Sequence, residues 1–133
     1  MFLFDTDTLS HVVKPNPSSN LLARLVAVPP EQQFTTAITV GEMVYGACRS
    51  SRRDHLLCQL GQRVWPNVQI LPFDRAAGEE YGKLRSELER VGTPIGEADT
   101  RIAAIALTHK LTVVTGNVRH FSRVSGLLVE NWI

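Results

Sequence analysis

Four short apolar runs punctuate the chain: Phe2 to Phe4, Phe34 to Ile38, Val68 to Leu71 and Leu111 to Val114. Each is nearly continuous rather than alternating, the pattern of strands buried on both faces of a sheet. Between them lie longer segments with helical spacing. The clearest runs from Asp74 to Val91, where Ala77, Tyr81, Leu84, Leu88 and Val91 recur at intervals of four, three, four and three, with Glu80, Arg85, Glu87, Glu89 and Arg90 between them. Leu21, Leu22, Leu25 and Val26 form another apolar face that Pro29-Pro30 ends, and Asn16-Pro17 reads as its N-cap and first helical residue. Leu9 to Val13 predicts a short helix after the first strand, Arg52 to Leu60 another before the third, and Ile102, Ala103 and Ala106 mark one before the fourth. Strands alternating with helices predict an α/β fold, a mostly parallel sheet covered on both faces in three α/β/α layers. No proline- or glycine-rich stretch is long enough to be a linker, so residues 1–133 read as one domain.

Composition narrows the function. Fourteen basic against thirteen acidic residues leave a net charge of +1, without the overall field of a general nucleic-acid binder, so any such contact must come from local clusters. Met1-Phe2-Leu3-Phe4-Asp5 has no basic segment and meets an acid after three apolar residues, unlike a signal peptide. No apolar stretch approaches the roughly 20 residues that cross a bilayer. These features predict a cytoplasmic protein with no membrane partner. Cys48 and Cys58 lack neighbours at metal-binding spacing and read as free, partly buried thiols.

Ligands of open α/β sheets bind beyond the carboxyl ends of the strands. Asp5 follows the first strand at once, with Thr6 and Asp7 beside it. Glu42 follows the second run by four residues, in what reads as the first turn of a helix. Asp99 opens the helix through Ile102, and Thr115, Gly116 and Asn117 follow the fourth strand. These groups are predicted to converge. Carboxylates within about 5 Å repel by roughly 3 kcal/mol per pair at an effective dielectric near 20, a cost that a divalent cation removes. Oxygen donors without histidine or cysteine at zinc spacing suit magnesium, with manganese as a substitute. Metal-assisted phosphodiester hydrolysis is the matching chemistry.

Four stretches in order, Phe4-Asp5-Thr6-Asp7-Thr8-Leu9, Ile38-Thr39-Val40-Gly41-Glu42-Met43, Ile95-Gly96-Glu97-Ala98-Asp99-Thr100-Arg101-Ile102-Ala103-Ala104 and Val114-Thr115-Gly116-Asn117-Val118-Arg119-His120-Phe121, resemble PIN domains of the VapC toxin type. The resemblance covers essentially the whole chain. It implies a PIN-like fold and a magnesium-dependent endoribonuclease toxin that cuts transfer or ribosomal RNA. It further implies a VapB-like antitoxin, a homodimer and a toxin-antitoxin hetero-oligomer. Carried over by position, the family's acids fall on Asp5, Glu42 and Asp99 as metal ligands, and its fourth acidic position falls on Asn117, a neutral amide suited to holding water or phosphate. Thr115 would complete the shell. Asp7 stands where this subtype more often has Asn and adds a carboxylate, with Thr6 beside it; whether Asp7 faces the metal stays open.

Structural readings compete with these. Thr39-Val40-Gly41-Glu42 matches a capping box, in which Glu42 would bond to the amide of its own N-cap. Asp99 would favour a helix dipole, Asp5 an Asx-turn and Thr115 an ordinary turn. His120 reads as a surface or packing residue rather than a base, and Trp65 and Trp132 as packing. Arg49, Arg52, Arg53, Arg119 and Arg123 are candidates for phosphate contacts, with solvated faces as the alternative. Rival functions are a structure-specific DNA nuclease, which the short chain disfavours, a non-catalytic PIN-like binding module, and a response-regulator receiver. The receiver needs a phospho-accepting Asp after the third strand and a Lys after the fifth, whereas Asp74 sits at a helix start and no Lys stands beside Leu127 to Val129.

Overall fold

Neighbouring residues of the first strand, β1 (Phe2–Phe4), belong to two different cores, Leu3 on one side of the sheet and Phe4 on the other. Successive strand side chains point to opposite faces, so a strand covered on both sides shows no alternation of apolar and polar residues. The computed structural model describes residues 1–133. After β1 come α1 (Thr6–Val12), α2 (Ser19–Ala27), β2 (Gln33–Thr36), α3 (Ala37–Arg49), α4 (Arg53–Gln59), β3 (Gln69–Leu71), α5 (Arg75–Arg90), α6 (Glu97–His109), β4 (Thr112–Val114), α7 (Val118–Phe121) and β5 (Val129–Glu130). All five strands are parallel, in the order β3-β2-β1-β4-β5.

One core joins Leu3 and Val113 to Ala77, Leu84 and Leu88 of α5, Ile102 and Ile105 of α6, and Phe121 of α7. The other joins Phe4 and Val114 to Leu9, Leu21, Met43 and Trp132. The three expected layers are therefore present. Trp132 is fully buried, edge-on to Phe2 and Phe4 at 4.9 and 5.4 Å between ring centres, and Trp65 packs at the margin of the same core, so both are packing residues. The chain runs from β1 outward to β2 and β3, then returns to β4 on the other side of β1. The carboxyl ends of β1 and β4 thus flank the switch point, where such sheets open a crevice.

Several boundaries differ from the sequence pattern. Ile38 belongs to α3, because β2 ends at Thr36, whose hydroxyl accepts from the amide of Thr39 and caps α3. Glu42 therefore lies in the second turn, out of reach of the N-cap amide, and the Thr39 to Glu42 capping box does not form. Helix α2 starts at Ser19, capped by Ser18, rather than at Pro17, since the Ser18 hydroxyl reaches the amide of Leu21. Helix α1 begins at Thr6, three residues before its apolar stretch. Past α4 the chain continues through a wider π-turn over 60–64 and a 3-10 turn over 65–67 before β3. Cys48 and Cys58 are exposed, not partly buried, because they lie on the outer faces of α3 and α4. No helix is long and apolar enough to cross a membrane.

Candidate active site

Asp5 occupies the carboxyl end of β1 and is the N-cap of α1. Its Oδ1 accepts the amide of Thr8 at 2.9 Å, and its Oδ2 accepts the hydroxyl of Thr115 at 2.6 Å. The Thr115 hydroxyl also accepts the backbone N–H of Asn117 at 2.9 Å, so it links the ends of β1 and β4 to the start of α7. Asp5 is 4 % exposed. Burial pushes its carboxyl up to about 6, although the bonds from Thr115 and Thr8 favour the charged form; the nearby charge of Asp7 pushes further up.

Glu42 reaches the same edge from α3. Its Oε1 accepts the Thr6 hydroxyl at 2.6 Å, and that hydroxyl stands 3.2 Å from the one on Thr39. With the capping role removed, Glu42 is free to serve the crevice. Asp99 lies in the first turn of α6, where Gly96 at φ +93° supplies a left-handed bend that admits the helix at this angle. Its Oδ2 is 3.5 Å from Nδ1 of His120, a buried nitrogen without a hydrogen-bond partner. Burial raises the Asp99 carboxyl above its ordinary range; His120 opposes this, and the charges of Glu42 and Asp7 add to it. The charges of both Glu42 and Asp7 reach Asp99.

Asn117 is exposed at the start of α7, and its side chain makes no capping bond. Asp7 projects from α1 onto the backbone of Gly116 and pairs with His11 at 3.8 Å. Direct bonds join Asp5 to Thr115 and Thr6 to Glu42 at the carboxyl edge of the sheet, and Asp7, Asp99 and Asn117 stand on the elements that open there. His120, which the sequence reads as a surface or packing residue, stands against Asp99 in the structure. Nothing in the sequence distinguishes it from His109, since the pairing depends on how α7 docks on α6. Thr8 joins the site through its amide, and Asp5-x-x-Thr8 is the spacing of an N-cap and its amide partner.

The arginines divide. Arg119 is exposed on α7 beside His120. Arg49 ends α3, about 10 Å along the axis from Glu42 at 1.5 Å per residue, and its guanidinium bonds to the Tyr45 hydroxyl at 2.8 Å. Arg52 and Arg53 open α4 close by, and Arg123 donates to the carbonyl of Pro94.

The donor set consists of carboxylates, hydroxyls and an amide, the hard oxygen ligands that a divalent cation prefers. Asp5 and Asp99 are both raised, chiefly by burial and to a smaller extent by neighbouring acids, so a positive charge beside them would favour their ionised forms. In chemistry and charge these residues fit such an ion. No three of the His, Cys, Asp or Glu side chains stand close enough to enclose it as they are placed.

The PIN domain family model matches residues 2–127. The tRNA(fMet)-specific endonuclease VapC of Shigella flexneri is 32 % identical, covering 98 % of this chain and 97 % of its own length. Toxin FitB of Neisseria gonorrhoeae is 31 % identical over 99 % of both. The crystal structure of DNA-bound VapBC from Salmonella typhimurium superimposes with a TM-score of 0.90 or better, at 0.92, and 32 % identity over 99 % of this chain and 98 % of that one.

Proposed function

Since this chain belongs to the PIN-domain family, of the VapC ribonuclease type, we propose that its residues 1–133 form one magnesium-dependent endoribonuclease domain that cuts a structured RNA, transfer or ribosomal, at a single-stranded loop. Its relatives are named as ribonucleases and toxins, and solved neighbours are toxin-antitoxin complexes; the chain is accordingly the toxin of such a pair, with a VapB-like antitoxin as partner. We further infer a homodimer within that hetero-oligomer, acting in the cytoplasm. Nucleases of this family generally use a divalent metal; magnesium, with manganese able to replace it, is our reading of the all-oxygen donor set.

Asp5 carries the proposal. A helix N-cap does not require burial, since Asp74 caps α5 in the same way from an exposed position. Asp5 bears the same bond at 4 % exposure, at the switch point and bound to Thr115. Its burial is costly for capping and useful for holding a charge in a crevice.

Asp5, Asp99 and Glu42 are the residues that would hold the ion. When bound, it supplies Lewis acidity and a more acidic water at neutral pH. Thr115 and the Thr8 amide fix both oxygens of Asp5, Thr6 aims Glu42, and His120 places a polar nitrogen beside Asp99. Asn117, without a side-chain partner, is available to a phosphate oxygen or a water. Water attacks phosphorus in line, the bond to the 3′ oxygen breaks, and the product carries a 5′ phosphate. Arg119 is the arginine best placed for the scissile phosphate, and Arg49, Arg52 and Arg53 for more distant ones. Induction in cells followed by sequencing of RNA ends tests this reading: new 5′-phosphate ends at a loop, missing for Asp5→Asn, support it, and an unchanged RNA population rejects it.

A further inference from the structure

Tyr45 is the one exposed aromatic residue of the chain; the other eight rings are buried or half-buried, whereas this one is 61 % accessible on α3. Helix geometry explains why. Met43 packs in the core, and Tyr45, two residues on, stands about 160° round the axis from it. From Glu42, which reaches the candidate site, Tyr45 and Arg49 lie about one and two turns further along, within about 60° of the same line. Glu42, Tyr45 and Arg49 therefore form one exposed stripe leading away from the site.

Arg49 holds the ring. Its guanidinium lies over it, 5.6 Å from the ring centre, and donates to the hydroxyl at 2.8 Å. Arg75, Arg85 and Arg90 of α5 each pair with a glutamate, whereas Arg49, Arg52 and Arg53 form no ion pair. From Met43 to Val64 four arginines stand against one acid, Asp54, so the stripe runs into uncompensated positive charge. An exposed apolar group alone is ordinary surface. Here the ring is braced by a guanidinium, backed by unpaired arginines and continuous with a carboxylate site. Those are the two parts of a single-strand binder, an aromatic face on which a base stacks and a charged track for the backbone.

We propose that the Tyr45 ring stacks a base of single-stranded RNA next to the cut, while Arg49 braces the ring and, with Arg52 and Arg53, meets the phosphates that follow. The proposal rests on the RNA-cleaving reading above and names the part of the substrate held outside the carboxylate crevice. Every base has a flat face, so the contact favours unpaired over paired RNA rather than one base over another.

Fluorescence anisotropy in EDTA, which arrests metal-dependent cleavage, tests this on two labelled strands of about ten units: an RNA of mixed sequence, and a stable base-free ribose-phosphate strand of the same length. Tyr45→Ala is expected to weaken binding of the RNA about tenfold, to leave the base-free strand within about twofold of the parent, and to keep the salt dependence. Tyr45→Phe keeps the ring and should bind like the parent. Arg49→Gln should weaken both strands and lower the salt slope by about 0.7. These positions are exposed, and circular dichroism confirms that each variant is folded. RNA binding by Tyr45→Ala as tight as by the parent overturns the stacking role, and does so equally if that variant loses its antitoxin, which would assign the ring to the protein partner. Equal losses on both strands show that the ring acts only through Arg49 on phosphates and also overturn it. A parent that binds neither strand overturns the proposal as a whole. Cleavage by the parent in magnesium is read separately, and only its absence counts against the nuclease reading.

Discussion

The hydroxyl of Thr115 donates to Oδ2 of Asp5 at 2.6 Å, joining residues 110 positions apart at the carboxyl ends of two neighbouring strands. Both groups are buried. Thr115→Val keeps the shape, removes the donor to the carboxylate, and leaves the amide of Asn117 without its acceptor. A ten- to hundredfold loss of RNA cleavage is expected, with Thr115→Ser close to the parent. Initial rates at matched folded fraction measure it; equal rates for Thr115→Val and the parent would show that the bond does not orient Asp5.

Asp5 also makes stability depend on pH. Its carboxyl lies near 6 in the folded chain against an ordinary 3.8, so the folded state holds the proton more tightly than the unfolded one. The stabilisation linked to this group is complete below about pH 4 and is lost as pH rises through 6, a swing of about 3 kcal/mol. Asp5→Asn has no such titration. Urea unfolding in EDTA should therefore show the variant gaining on the parent between pH 4 and pH 7, and a stability difference flat across that range would contradict the shift.

Helix α3 separates capping from chemistry. Thr36→Ala removes the N-cap bond to Thr39 and should cost about 1 kcal/mol of stability. Glu42→Gln, in the second turn and exposed, should change stability by less than about 0.5 kcal/mol while lowering cleavage at least tenfold. Paired thermal melts and cleavage rates decide this. A Glu42→Gln variant destabilised as much as Thr36→Ala would restore the capping role to Glu42.

What the sequence made legible follows from burial. Phe2 to Phe4 and Leu111 to Val114 stood out because the central strands are covered on both faces, whereas β5 is only Val129–Glu130 and leaves no run to see. Ile38 lengthened the second run because an apolar residue facing the core looks alike at the end of a strand and at the start of a helix. Ser18 rather than Asn16 caps α2, since its hydroxyl accepts the amide of Leu21, a choice that local pattern does not reveal. At the site, Asp5 and Asp99 were visible because one directly follows a strand and the other lies in the first turn of a helix, whereas Glu42 lies in the second turn of α3. The pairings of Asp99 with His120 and of Asp7 with Gly116 were not visible, since they depend on how separate elements dock.

The central claim is that carboxylates at Asp5 and Asp99 hold a divalent ion for RNA hydrolysis. It is tested most directly by incubating the purified chain, freed of antitoxin, with a structured RNA in magnesium, in EDTA, and in magnesium with Asp5→Asn or Asp99→Asn. Cleavage in magnesium alone, lost in EDTA and with either variant while both remain folded, is the predicted result; cutting that persists in EDTA, or in Asp5→Asn at the parent rate, would contradict the account.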